Sequence, residues 1–109
     1  MSIPMAELVT DALATAKASF PASPKVVDLR TRLGTDWVGD DAVWVWAIID
    51  NATPKSKLHH ANFRPIAELL EAAIKSAVRE GTQPQVDPMV YVRFRLKSEQ
   101  DEIDRAGAA

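Results

Sequence analysis

Three aspartates, Asp36, Asp40 and Asp41, gather in the stretch Gly34–Asp41. Carboxylate oxygens suit hard cations such as magnesium or calcium, which makes this trio the candidate metal site of the chain. Its spacing matches no calcium-binding loop, and aspartates beside glycines also stabilise turns without any ion. His59 and His60 are adjacent. On a helix neighbouring residues point about 100° apart, so the two cannot share a ligand simply, and they read as solvated histidines at a helix start. Glu68 and Glu71 have the spacing of helix support rather than of acid-base work. Gly34 and Gly39 lack the strand-turn-helix context of a phosphate loop. The absence of cysteine excludes disulfides, thiolate metal sites and a cysteine nucleophile. No catalytic residue is assigned and no cofactor is expected; a metal-dependent enzyme built on the aspartate loop is the most distant alternative.

A different chemistry is carried by arginine interleaved with aromatic residues. Ala42–Asp50 is the longest apolar run, too short and too rich in β-branched and aromatic residues to be anything but a strand. Read at period two, Val43, Val45, Ala47 and Ile49 point one way, while Trp44, Trp46, Ile48 and Asp50 point the other. Two further segments alternate. In Lys25–Leu33, Val27, Leu29, Thr31 and Leu33 oppose Val26, Asp28, Arg30 and Arg32; in Met89–Leu96, Val90, Val92, Phe94 and Leu96 oppose Met89, Tyr91, Arg93 and Arg95. With the aliphatic sides in the core, the second face of the sheet collects Arg30, Arg32, Trp44, Trp46, Tyr91, Arg93 and Arg95. These residue types are enriched at protein interfaces and among binding hot spots. They also stack on bases and pair with phosphates, so an RNA-binding module is the alternative. A formal net charge of −2 favours a protein partner, or a second copy, over nucleic acid. A self-contact would set like-charged arginines close across a dyad, which a partner carrying acidic residues avoids. Trp37, inside the aspartate loop, is expected to pin that loop to the core.

The elements that must position this face follow from periodicity. Met5, Leu8, Val9, Ala12, Leu13 and Ala16 recur at helical spacing, with Ser2 as N-cap, Pro4 in the first turn and an end near Phe20 ahead of Pro21 and Pro24. Ile66, Leu69, Leu70, Ala73, Ile74 and Ala77 mark a second helix within Lys57–Gly81, in which Pro65 is either the first residue or a kink. Thr82–Pro88 is a connection. The expected fold is α+β, in the order α-β-β-α-β, with a three-stranded sheet and two helices on one face. At 109 residues, 47% of them hydrophobic and 26% charged, the chain has the composition of a globular domain. Residues 1–96 are expected to form that domain and 97–109 a charged, alanine-rich tail. The N-terminus resembles neither a secretory signal nor a transit peptide, and no run approaches membrane-spanning length, so the expectation is a cytoplasmic protein.

The element order resembles that of type II KH domains and ribosome-binding factor A, which implies RNA binding; the glycine loop of that group is absent here. Asp36-Trp-Val-Gly-Asp40, followed by Ala42 and the tryptophan strand, with Tyr91-Val-Arg-Phe94 near the end, resembles small uncharacterised prokaryotic proteins, some of them encoded beside toxin-antitoxin-like partners. That resemblance implies a partner protein and no particular chemistry.

Overall fold

The tryptophan-bearing run becomes the middle strand of the sheet. In the computed structural model, which describes residues 4–82 and 87–108, the chain forms α1 (Met5–Lys17), β1 (Val26–Thr35), β2 (Asp41–Ile49), a 3-10 turn (Lys55–Lys57), α2 (His60–Gly81), β3 (Met89–Leu96) and α3 (Lys97–Ala108). The strand order is β1-β2-β3. β1 and β2 pair antiparallel, as the short connection between them requires. β2 and β3 pair parallel, because α2 carries the chain back along the sheet before β3 begins. This is the α+β fold read from the sequence, with a third helix added.

α1 and α2 cover one face. Leu8, Val9, Ala12, Leu13 and Ala16 of α1 meet Ile66, Leu70, Ile74 and Val78 of α2 over Val43 and Val45 of β2, all of them buried. Each helix contributes its apolar stripe at spacings of three and four, and removing those side chains from water is what holds the helices on the sheet. The helices approach closely at one point: a Cβ on Gly81 would stand 2.4 Å from Cδ2 of Leu8. Pro65 lies inside α2, five residues past its start, so the longer, proline-containing helix is the one formed. His59 is its N-cap and, with His60, is exposed, as expected of histidines at a helix start. Glu71, read as helix support, pairs with Lys75 one turn on at 3.1 Å.

Several local expectations need correction. Strict alternation puts Val26 with the arginines, but a register shift between Val26 and Asp28 sets it opposite Ile49 and against the core. A bulge of this kind admits an extra residue, which moves the preceding side chain to the other face. α1 ends at Lys17 rather than near Phe20; a turn follows, in which Phe20 N–H donates to the Lys17 carbonyl at 3.3 Å and Phe20 packs on the core. Ser2, expected as N-cap, lies outside the described residues, as does most of the Thr82–Pro88 connection; Pro4 occupies the N-cap position. At the C-terminus, where charge and alanine content suggest a short exposed helical turn or a frayed tail, the chain forms a helix of 12 residues. Among the described residues no helix is long and apolar enough to cross a membrane.

Candidate interaction face

Pairing register brings the arginines and aromatic residues onto the sheet face opposite α1 and α2, in rungs that run across the strands. From one end these are Gly34–Ala42–Met89, Arg32–Trp44–Tyr91, Arg30–Trp46–Arg93 and Asp28–Ile48–Arg95. All seven residues singled out in the sequence therefore lie side by side. Their surroundings divide them into an open half and a covered half.

The open half is built around Trp44. Its ring stacks on Tyr91 with centroids 5.6 Å apart and planes 21° apart, and the Arg32 guanidinium lies 4.9 Å from its centroid. The cation suits the negative face of the ring, and the stack removes apolar surface of both rings from water. Gly34, one rung away, lies beside the ring: a Cβ there would stand in ordinary van der Waals contact with Trp44 at 3.4 Å. Tyr91 also meets Trp37, with centroids 5.9 Å apart. Trp37 does not pin the loop to the core as expected; it is 82% exposed and, with Val38 at 66% and Met89 at 43%, forms an apolar rim to the stack.

Asp36 pins the turn instead. Its Oδ1 accepts the N–H groups of Val38 at 3.1 Å and Asp40 at 3.0 Å, and its Oδ2 accepts the Tyr91 hydroxyl at 3.1 Å. The carboxylate is buried and fully engaged in holding the Asp36–Asp40 turn against β3. Burial, and then the bond to Asp36, push the Tyr91 hydroxyl above its ordinary range. Gly39 closes the turn with φ of +89°, a conformation that glycine adopts without steric cost. Asp40 and Asp41 do not join Asp36 in a metal site: among the described residues no group of three or more histidine or carboxylate side chains could hold an ion. The two short strings quoted from the sequence, Asp36–Asp40 and Tyr91–Phe94, thus meet in space through the Tyr91–Asp36 bond.

The covered half lies under α3. Glu99, three residues past Leu96, accepts the Leu96 N–H at 3.0 Å, and the Asn51 side chain accepts the Ser98 N–H at 3.2 Å, so the first turn of α3 is capped from both sides. A polar belt then crosses the face. Arg95 donates to Gln100 at 3.0 Å, Gln100 donates to Asp104 at 2.9 Å, and Arg30 grips Asp104 through two nitrogens at 3.1 and 3.4 Å while donating to Asp28 at 2.8 Å. Beneath it Ile48 has no exposed surface, Gln100 is buried, and the Arg95 guanidinium lies 5.2 Å from the Trp46 ring centroid. The bond from Arg30 holds the Asp28 carboxyl below its ordinary range, and bonds from Gln100 and then Arg30 do the same for Asp104. Asp28 and then Asp104 raise Arg30 in turn.

Arg32 and Arg93 differ from Arg30: among the described residues neither is in an ion pair, and Arg93 donates only to the Val92 carbonyl at 3.3 Å. The open half thus offers two cations with no carboxylate partner, flanking three aromatic rings. Gln100 and Asp104 were not singled out in the sequence. The signals were the Leu96–Glu99 capping interval and the four-residue spacings of Lys97–Asp101 and Gln100–Asp104, all formed in the structure.

No family model matches the chain, and no curated protein matches it. Among solved structures, the chain is similar to the MamM CTD in a nickel form, at 20% identity over 84% of this chain and 98% of that one, with a TM-score of 0.43. A copper form of the MamM CTD gives 19% identity over 84% and 98%, with a TM-score of 0.43. A cysteine-to-serine variant of the same domain gives 17% over 86% and 99%, with a TM-score of 0.45.

Proposed function

We propose that the chain is a non-enzymatic interaction module that docks a partner protein on the open half of its second sheet face, through Trp37, Trp44, Tyr91, Arg32 and Arg93. One observation carries the proposal: Trp37 stands 82% exposed at the edge of an aromatic stack whose neighbouring Arg32 and Arg93 have no carboxylate partner among the described residues. A folded chain gains nothing by holding so large a ring in water, whereas interfaces use such rings as anchors. The arginines indicate a partner that brings carboxylates, since two copies meeting here would oppose cations. The resemblance of the Asp36–Asp40 and Tyr91–Phe94 strings supports a toxin-antitoxin-like setting for that partner.

The test uses the full chain as immobilised bait, beside Trp37→Ala and Arg93→Glu variants, with light scattering of each chain alone. The expected result is a protein captured by the wild type, resistant to nuclease and lost with either variant. Capture of nucleic acid with a steep salt dependence would replace the proposal with an RNA-binding role. A wild-type dimer that becomes a monomer on Trp37→Ala would make the partner a second copy. Equal capture by all three chains would refute the assignment.

A further inference from the structure

The seven-residue face is continuous in the sheet, yet half of it is taken by α3, and the manner of that occupation identifies a ligand chemistry. α3 is seated almost wholly by polar contacts: Gln100 is its one buried residue among those described, and Ile103, its one large aliphatic side chain, is 45% exposed. Its hold on the face is the belt from Arg95 through Gln100 and Asp104 to Arg30. Interactions of exposed groups such as Arg30 and Asp104 are weak and screened by salt, and an element with little buried apolar surface opens at low free energy. What lies beside the belt is of another kind: Ile48 with no exposed surface, and the mostly buried Trp46 ring with the Arg95 guanidinium against it.

We infer that the Arg30–Trp46–Ile48–Arg95 surface is a second part of the docking face, built for a carboxylate-bearing helix and filled in the free chain by α3 as a stand-in. A partner's acidic amphipathic helix takes the place of α3, setting a carboxylate on Arg30 where Asp104 now lies and an apolar residue beside Arg95 where α3 supplies Gln100. The occupant is acidic because the seat is cationic and its present occupant is acidic, with Glu99, Asp101, Glu102 and Asp104 in α3. It is a helix because a helix of 12 residues already fits the seat. This inference rests on the proposal that the second face docks a protein.

The probe is a fluorescently labelled synthetic peptide of the Leu96–Ala108 sequence, titrated by anisotropy against the full chain, a Gln100→Ala/Asp104→Asn variant, and that variant with Arg30→Ala added. The first variant loosens α3 without touching its seat. Binding is expected to tighten about tenfold there, the gain when the open fraction rises from roughly a tenth towards one, and to be lost on adding Arg30→Ala. Hydrogen exchange of the unaltered chain, which does not depend on any variant folding, is expected to show α3 amides exchanging at least about tenfold faster than those of β2. Peptide binding no tighter in the loosened chain, binding that survives Arg30→Ala, or α3 amides as protected as those of β2 would each overturn the inference. Because Trp37 lies at the other end of the sheet, capture that is still lost with Trp37→Ala would then leave the docking face in place and remove only the role of α3.

Discussion

Trp37→Ala separates a docking residue from a structural one, because the two roles predict opposite balances of loss. Trp37 is 82% exposed. A tryptophan offers at most about 250 Å², so the ring keeps only about 45 Å² from water, worth about 1 kcal/mol at ~25 cal/mol/Å². In a chain of 109 residues that is a fall of about 4 °C in Tm. Trp44 stands in contrast: mostly buried, it removes at least about 160 Å² and contributes at least about 4 kcal/mol, to which its stack and guanidinium contact add about 1–2 kcal/mol. Replacing Trp44 and Trp46 together therefore threatens the whole of a typical domain stability of about 5–15 kcal/mol and would confuse unfolding with lost binding. Trp37→Ala avoids that confusion. Urea unfolding followed by far-UV circular dichroism should show a loss near 1 kcal/mol, while partner affinity falls by at least about 30-fold, the effect of truncating a hot spot worth about 2 kcal/mol. A stability loss above about 3 kcal/mol would mean that the ring pins the turn after all. Unchanged affinity for a captured partner would remove Trp37 from the interface.

Further outcomes follow from the geometry. Gly39→Ala should cost about 1–2 kcal/mol in urea unfolding, from backbone strain alone, since φ is +89° and no atom lies within 4 Å of the added Cβ. Gly81→Ala should cost about 1–3 kcal/mol through overpacking against Leu8, less up to about 1 kcal/mol gained in helix propensity. Adding Leu8→Ala should abolish that penalty, a non-additivity that unfolding of the four chains of a double-mutant cycle measures directly. The lowered carboxyls of Asp28 and Asp104 contribute stability that is present above their ordinary pKa near 4 and lost as pH falls through the lowered values. Acid titration followed by tryptophan emission should therefore show α3 loosening below about pH 4, and Asp104→Asn should flatten that limb. The raised Tyr91 hydroxyl acts in the opposite sense: its contribution is present below its ordinary pKa near 10 and lost as pH rises beyond it.

Much of the fold was legible because period and composition agreed. The alternation in Lys25–Leu33, Ala42–Asp50 and Met89–Leu96 and the stripes in both long helices all led to a sheet with an aliphatic face and an arginine-aromatic face, and register sets those residues in common rungs. Strand order was not legible, since periodicity says which side a residue faces and nothing of its lateral neighbour. The bulge before Asp28 was hidden because both Val26 and Val27 are apolar and a shift between them leaves no mark in the pattern. Trp37 was misread because ring size argues for burial while the surrounding turn, short and fastened through Asp36, offers no interior to enter. α3 was missed for a related reason. Its stability comes from caps and polar contacts with other parts of the chain, Asn51 and Arg30 among them, and no apolar stripe announces such a helix.

The parallel pairing of β2 with β3 sets the order in which the sheet can be completed. β1 and β2 can close on each other through a turn of a few residues, whereas β3 can join only after the whole segment between Ile49 and Met89 has been organised. Until then one edge of β2 has no neighbour, and Ala42–Ile49 is an uncharged, β-prone, proline-free segment of the kind that recruits identical strands from other molecules. Asp40 and Asp41 stand immediately before it and Asp50 immediately after. Carboxylates in those positions repel their counterparts in any in-register stack, the placement by which gatekeeper residues oppose strand-to-strand aggregation.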